Sequence, residues 1–429
     1  MRLDAVGRSL GVLRRYRGIC REEWLDHDSL EKLQKERLGR ILEHSYRTDH
    51  YRRIMDDAAV SPADAAEDMS AMPVTRKESL RLLPGSFLKK GVSKDSLFKS
   101  TSSGSTGDPV EVYLDDEAEC HRIAVMYHSE ILSGRSPFEM FAYVSTLSRF
   151  FKPGRFFSMT GLFPRVYLSI LKDEEKNLEL MRKHRAKMLM SFTSALISMA
   201  RANQEKEEPL KLKSILSRGE VLTEEAREMV EDSFSCNVFD RYGSVEFPVM
   251  ANECPEEHKL HVNAGSYLLE IVDENGKPAE SGEIVVTHLL NKTMPMLRYS
   301  TGDRGRWGKC SCGRSTPVLE SVEGRANDFI ILPSGKILPA ISLMRIPFES
   351  SSKGILRYQI IQEREDLMVF RYMPIGNGMP RETKKRIEVM IRDICNGEAE
   401  VEFEEVDRMP LGRTGKLRSF VSKLKQPAK

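Results

Sequence analysis

The chain has 429 residues, 40% hydrophobic and 30% charged, the balance of an ordinary globular protein and too long for one hydrophobic core, so at least two domains are expected, one large and one small. Sixty-six basic residues against 64 acidic ones leave a net charge of +2, which gives no electrostatic footprint for nucleic acid or a membrane surface and leaves any anionic ligand to a local site. No run approaches the roughly 18 apolar residues of a membrane span, the Arg-interrupted start lacks a signal peptide's apolar core, and seven cysteines, an odd number, argue against a disulfide framework and for a cytoplasmic protein.

The first 80 residues read as polar helices, with Leu30, Leu33, Leu38, Ile41 and Leu42 recurring near a helical period. Ala- and Pro-containing loops at Val60–Asp68 and Met72–Val74 are expected to break them. From Ser96 the texture changes to short strands alternating with helices: a strand at Leu212–Leu216, a helix at Glu224–Ser233 and a strand at Asn237–Asp240 predict an α/β core. Between Ser266 and Leu290 two apolar strands flank Asp273–Gly276, whose Asn-Gly pair marks a hairpin turn. After Arg325 the chain reads as a β-β-α-β module with strands at Tyr358–Gln362, Leu367–Tyr372 and Val401–Val406 and a helix at Glu382–Asn396.

One segment stands out chemically. Ser100–Pro109 packs six hydroxyls and two glycines into a short loop ahead of the alternating strand Val110–Leu114. Glycines let the backbone approach a phosphate closely, and hydroxyls and amides donate to it. A Walker A loop is excluded, because its lysine is missing and a strand follows. Further motifs come downstream: Ser217–Glu220, Asp240–Glu246, Arg298–Asp303, Gly324–Arg325 and Pro410–Arg418, each at a predicted strand–loop junction.

In this order the segments resemble the core motifs of the adenylate-forming superfamily of acyl-CoA ligases, adenylation domains and luciferases, and most of all its phenylacetate-CoA ligase and capsular-polysaccharide branch. Leu33–Arg37, His44 and the Tyr51-Arg52 pair look like that branch's N-terminal helices. The resemblance implies a large N-terminal adenylation domain of mixed β-sheets and helices, 1–326, and a small mobile α+β C-terminal lid, 327–429, with its hinge at Asn327. It implies that the loop residues Thr101, Ser102, Ser103, Gly104, Ser105, Thr106 and Gly107 grip the ATP phosphates. Tyr242, flanked by Gly243 and Ser244, would stack on adenine near Gly219 and Glu220. Glu246 would hold Mg²⁺, Asp303 and Arg325 the ribose hydroxyls, and Lys416 would bridge the carboxylate and the α-phosphate. Thr106, Glu246 and Lys416 are thus the catalytic candidates. A carboxylate suits a hard cation and an aromatic face a purine.

The implied activity is formation of an acyl-adenylate from a carboxylic acid and ATP, then transfer to a thiol such as coenzyme A. The stretch Pro333–Pro339 is unlike the ligases' thiol-delivering loop, so an amine or hydroxyl acceptor, or AMP transfer to a hydroxyl, stands beside it. A non-catalytic nucleotide-binding scaffold has no chemical need for Glu246, Asp303 and Lys416. Phe150–Met159, Phe192–Ala195 and the residues around Phe247 are expected to wall the acyl pocket, and the abundance of Phe and Met points to an apolar or aromatic acid.

Cys254 and His261 precede Cys310 and Cys312, a Cys₃His set of the kind that favours tetrahedral, structural zinc. His258 competes with His261 for the fourth position. Cys20, Cys120, Cys236 and Cys395 read as incidental thiols.

Overall fold

The structure, a computed structural model, describes residues 5–101, 110–145, 161–169, 174–325, 329–334, 337–339, 343, 354–376, 378–409 and 420–424. It opens with helices α1 (Ala5–Glu22), α2 (His27–Ser45), α3 (Asp49–Asp57), α4 (Pro62–Glu67) and α5 (Lys77–Leu82). The expected loop at Val60–Asp68 is therefore helical over α4. Ser61 caps it in a reciprocal box with Asp64, and Pro62 occupies the first turn, where its missing N–H costs nothing. A hairpin of β1 (Phe98–Thr101) and β2 (Glu111–Leu114) flanks the Ser/Thr/Gly loop, as the alternating pattern predicts, and α6 (Asp116–Leu132) follows.

An eleven-strand sheet forms the body. Its parallel half contains β3 (Phe141–Ser145), β4 (Arg165–Ser169), β5 (Met188–Ser191), β6 (Ser214–Arg218) and β7 (Asn237–Tyr242) in the order β4-β3-β5-β6-β7. Between them run α7 (Glu174–Lys183), α8 (Thr193–Gln204) and α9 (Glu224–Phe234). All four residues of β5 are buried, as expected of a parallel strand covered on both faces. Ala142, Leu189, Ile215 and Val238 pack on α7–α9, and Phe141, Met188, Met190, Leu216 and Phe239 form a second cluster.

The antiparallel half adds β8 (Ala251–Glu253), β9 (Leu260–Val262), β10 (Tyr267–Val272), β11 (Ser281–His288), β12 (Tyr299–Gly308) and β13 (Val318–Arg325). The predicted hairpin is β10–β11. Gly276 takes the positive φ of 74° that ends its turn, and the Asp273 side chain accepts from the Asn275 and Lys277 amides at 2.8 and 2.9 Å. Arg298, only 1% exposed, fastens the N-terminal segment to this half: it donates to the Met72 and Gly276 carbonyls at 2.5 and 2.7 Å and pairs with Glu270 at 3.1 Å.

Downstream, β14 (Phe329–Ile331) pairs with β15 (Ile337–Pro339). Strands β16 (Ile355–Arg364), β17 (Leu367–Pro374), β18 (Glu400–Glu405) and β19 (Phe420–Ser422) form a four-strand sheet with α10 (Arg381–Ile394). Their buried residues, from Ile330 to Phe420, make a core of their own.

Candidate active site

Open α/β sheets bind ligands at the carboxyl ends of their parallel strands, next to the point where strand order or direction changes. Here β7 is that boundary, parallel to β6 and antiparallel to β8. Tyr242 is its last residue, and Arg218 closes β6 just before Gly219 and Glu220.

The buried Tyr242 hydroxyl donates to Asp303 Oδ2 at 2.9 Å and lies 3.4 Å from Thr301 Oγ1. Asp303 on β12 pairs in register with Arg325 on β13. The fold thus brings together three motifs separated by tens of residues. Burial, then the Asp303 charge, pushes the Tyr242 phenol well above its ordinary pKa, so it remains a neutral donor that fixes the carboxylate.

Gly219 adopts a φ of 72°, and Thr193 Oγ1 donates to the Glu220 carbonyl at 3.4 Å. Gly243 has a steric reason to be glycine: a Cβ there would lie 2.3 Å from the Pro248 carbonyl oxygen. The close approach belongs to a tight loop in which the Ser244 amide donates to the Phe247 carbonyl at 2.8 Å and the Phe247 amide to Ser244 Oγ at 3.1 Å.

That loop presents Glu246, which is 5% exposed, to Lys77 Nζ at 3.2 Å, with the Tyr299 hydroxyl at 3.5 Å. Lys77 escaped the sequence reading because nothing local links a cation at the start of α5 to a carboxylate so far along the chain. Thr101 ends β1 opposite Glu111. Ser102, Ser103, Gly104, Ser105, Thr106 and Gly107 of the loop, Phe150–Met159, Asn327 and Lys416 lie outside the described residues, as does the side chain of Arg325. Phe247, around which the acyl pocket is expected, is fully buried, its ring 5.5 Å from that of Tyr299 and 5.8 Å from that of Tyr267.

A second constellation sits where β8, β9 and the segment before β13 meet. One donor atom from each of Cys254, His261, Cys310 and Cys312 lies within 4.8 Å of the others. Four ligands around zinc at about 2.3 Å place thiolates about 3.8 Å apart, and Cys254 and Cys310 Sγ are 3.8 Å apart. His261 turns Nε2 to Cys312 Sγ at 3.5 Å while Nδ1 meets Thr316 Oγ1 at 2.9 Å, an outer partner that orients the ring. His258 faces Glu253 instead, at 3.5 Å. Arg314 spans the cluster and α1's end: Nη1 is 3.2 Å from Cys312 Sγ, and Nε donates to Glu23 at 2.6 Å.

Residues 27–291 match the family model described as AMP-binding enzyme. A phenylacetate-coenzyme A ligase of Thermus thermophilus is 28% identical over 371 residues, 80% of this chain and 80% of the relative. Protein CapK of Staphylococcus aureus is 22% identical over 83% of this chain and 81% of its own. Among solved structures, a 2-hydroxyisobutyryl-CoA ligase in the postadenylation state superposes with a TM-score of 0.77 at 17% identity, covering 94% of this chain and 91% of that one.

Proposed function

Because this chain belongs to the AMP-binding enzyme family, we propose that it joins a carboxylic acid to ATP as the acyl-adenylate, with release of pyrophosphate, and then passes the acyl group to the thiol of coenzyme A. The observation that carries the reading is the Tyr242–Asp303 hydrogen bond at the carboxyl edge of the parallel strands, where β7 runs on into the loop that carries Glu246. The phenylacetate-coenzyme A ligase relatives support the acid–thiol direction.

In this reading Tyr242 faces the adenine, Asp303 and Arg325 take the ribose hydroxyls, and Thr101–Gly107, with Thr106 among them, hold the phosphates. A substrate carboxylate oxygen attacks the α-phosphorus, the bond to pyrophosphate breaks, and Lys416 holds the entering oxygen and the α-phosphate together. Magnesium at Glu246 would neutralise charge on the leaving pyrophosphate. Lys77 Nζ lies 3.2 Å from Glu246 Oε1, so the ammonium and the magnesium ion would share that carboxylate. Residues 327–429 act as the lid that carries Lys416, turning at Asn327; their separate core between Ile330 and Phe420 supports this division.

Zinc fits Cys254, His261, Cys310 and Cys312 with no open position, hence a structural role. Thiol ligands must stay reduced, which suits a cytoplasmic setting.

ATP–pyrophosphate exchange against a panel of acids, with AMP release followed with and without coenzyme A, tests the reading. Exchange with one acid class and faster AMP release with coenzyme A is the expected outcome. Release indifferent to coenzyme A would transfer the second step to an amine or hydroxyl acceptor. Lys416→Ala should lose about 10²–10³ in exchange rate, and an unchanged rate would overturn the mechanism.

A further inference from the structure

Among the described residues, one face of the parallel strands carries more buried positive charge than its carboxylates answer. Arg218 on β6 and Arg241 on β7 are partners in register. Arg241 is 7% exposed, and among the described residues its Nη1 is enclosed without a hydrogen-bond partner. Arg218 donates from Nη2 to the Val144 carbonyl at 3.1 Å, but its Nε is likewise buried without an acceptor. The carboxylate that acts on Arg241 across this face, Glu130, is itself fully buried and committed to Arg135 and, at 2.7 Å, to Arg165.

The electrostatic consequences are visible on both sides. Burial, then the Arg218 charge, lowers the Arg241 pKa to about 10. Burial would raise Tyr143, yet the Arg218, Arg241 and Arg165 guanidinium groups outweigh it and hold the phenol below its ordinary value. A buried cation without a counter-charge destabilises a fold, and such groups persist where a ligand supplies the missing charge.

The place identifies that ligand. Arg218 and Arg241 stand at the carboxyl ends of β6 and β7, one residue before Gly219 and Tyr242; consecutive strand residues face opposite sides of a sheet, so a group held between the two guanidinium groups lies at the same sheet edge as the candidate adenylation centre but on the face opposite the Tyr242 ring. The Arg218 guanidinium lies over the Phe192 ring at 4.4 Å and the Tyr143 ring at 4.9 Å, so aromatic surface borders the charge. An anion at one end of a carbon frame matches both features.

Resting on the acid-activation reading above, we propose that Arg218 and Arg241 bind a second carboxylate of the substrate, remote from the one that is adenylated, and thereby select a dicarboxylic acid. Guanidinium forks bind carboxylates through paired, charge-assisted hydrogen bonds, and Phe192 and Tyr143 border the intervening carbons.

Calorimetric titration of the full chain with adipate against hexanoate and isophthalate against benzoate tests this without requiring turnover, with pyrophosphate exchange measured in parallel. One dicarboxylate should bind at least about tenfold more tightly than its monocarboxylate match. Arg241→Met and Arg218→Met should each erase that ratio, and Arg241→Lys should restore part of it. Equal binding of matched acids by the unaltered protein overturns the proposal, and that comparison stands even if the variants fail to fold. Loss of ATP binding in the variants with no dicarboxylate preference in the parent would assign the arginines to the nucleotide phosphates and also overturn it. A preference in binding with no exchange for any acid would sustain the anion site and sink the adenylation reading.

Discussion

Glu246 is almost completely buried, yet its carboxyl lies below the ordinary carboxylate range: burial would raise it, and the Lys77 ammonium at 3.2 Å, helped by hydrogen bonds from its own backbone amide and the Ser244 side chain, outweighs that penalty. A depressed folded-state pKa means that the pair's stabilisation is present above the unfolded value of about 4.3 and is lost as pH falls through the folded one. Lys77→Met should therefore destabilise the protein at pH 7 by roughly 1–3 kcal/mol, with the difference from the parent shrinking as the pH is lowered below 4, as followed by urea denaturation. Asp240 shows the opposite sign. Burial first, and the Glu253 charge second, push it up to about 7. The folded state then binds a proton that the unfolded state has released, so stability falls as pH rises from about 4 to 7 and stays level above. Asp240→Asn should flatten that slope and raise the stability at pH 8 by roughly 1–2 kcal/mol; an unchanged pH profile would show that Asp240 is ionised at neutral pH.

Elements differed in how plainly the sequence announced them. Leu212–Leu216, Glu224–Ser233 and Asn237–Asp240 were readable because burial on both sides of a parallel strand and one-sided burial of its helix leave different periods; the structure moves the first strand two residues on, to Ser214–Arg218, and lengthens the other two elements at their C-terminal ends. Helix α4 was not readable: six residues are too few for a period, and its stability resides in one capping box. Tyr242, Asp303 and Arg325 could be named from their motifs, whereas the Lys77–Glu246 pair and the Arg218–Arg241 neighbourhood arise from strand register and long-range packing, which local pattern does not encode. The Cys/His cluster lies between these cases, since its residue types were legible and the choice of His261 over His258 required the fold. If the four donors hold zinc, purified protein should carry about one zinc per chain. Cys312→Ser should remove it, and because Arg314 ties Cys312 to Glu23, amide exchange should rise at the end of α1 as well as in 254–261. Metal-free protein with unchanged protection at both places would dismiss the structural zinc.

At the scale of the molecule, the proposed activity asks two adjoining cores to serve two successive reactions. The residues of the second core all fall between Ile330 and Phe420, and the attachments to the larger body include the Arg357–Glu174 ion pair at 2.8 Å and the Ser198 hydroxyl on the Leu356 carbonyl at 3.5 Å. Both are polar contacts, which water can replace when such an interface opens, unlike an apolar interface. If the lid must present Lys416 for adenylation and then withdraw it so that a thiol can reach the acyl carbon, one backbone position has to change its dihedrals between the steps. Placing that hinge at Asn327 makes a direct test available, because proline fixes φ near −65° and restricts the residue before it. Asn327→Pro should separate the half-reactions: pyrophosphate exchange stays within a few-fold of the parent if the locked geometry is the adenylating one, while thioester formation from preformed acyl-adenylate drops by about tenfold or more. A substitution that slows both equally would place the hinge elsewhere, and one that slows neither would mean that both steps proceed from a single arrangement of the two cores.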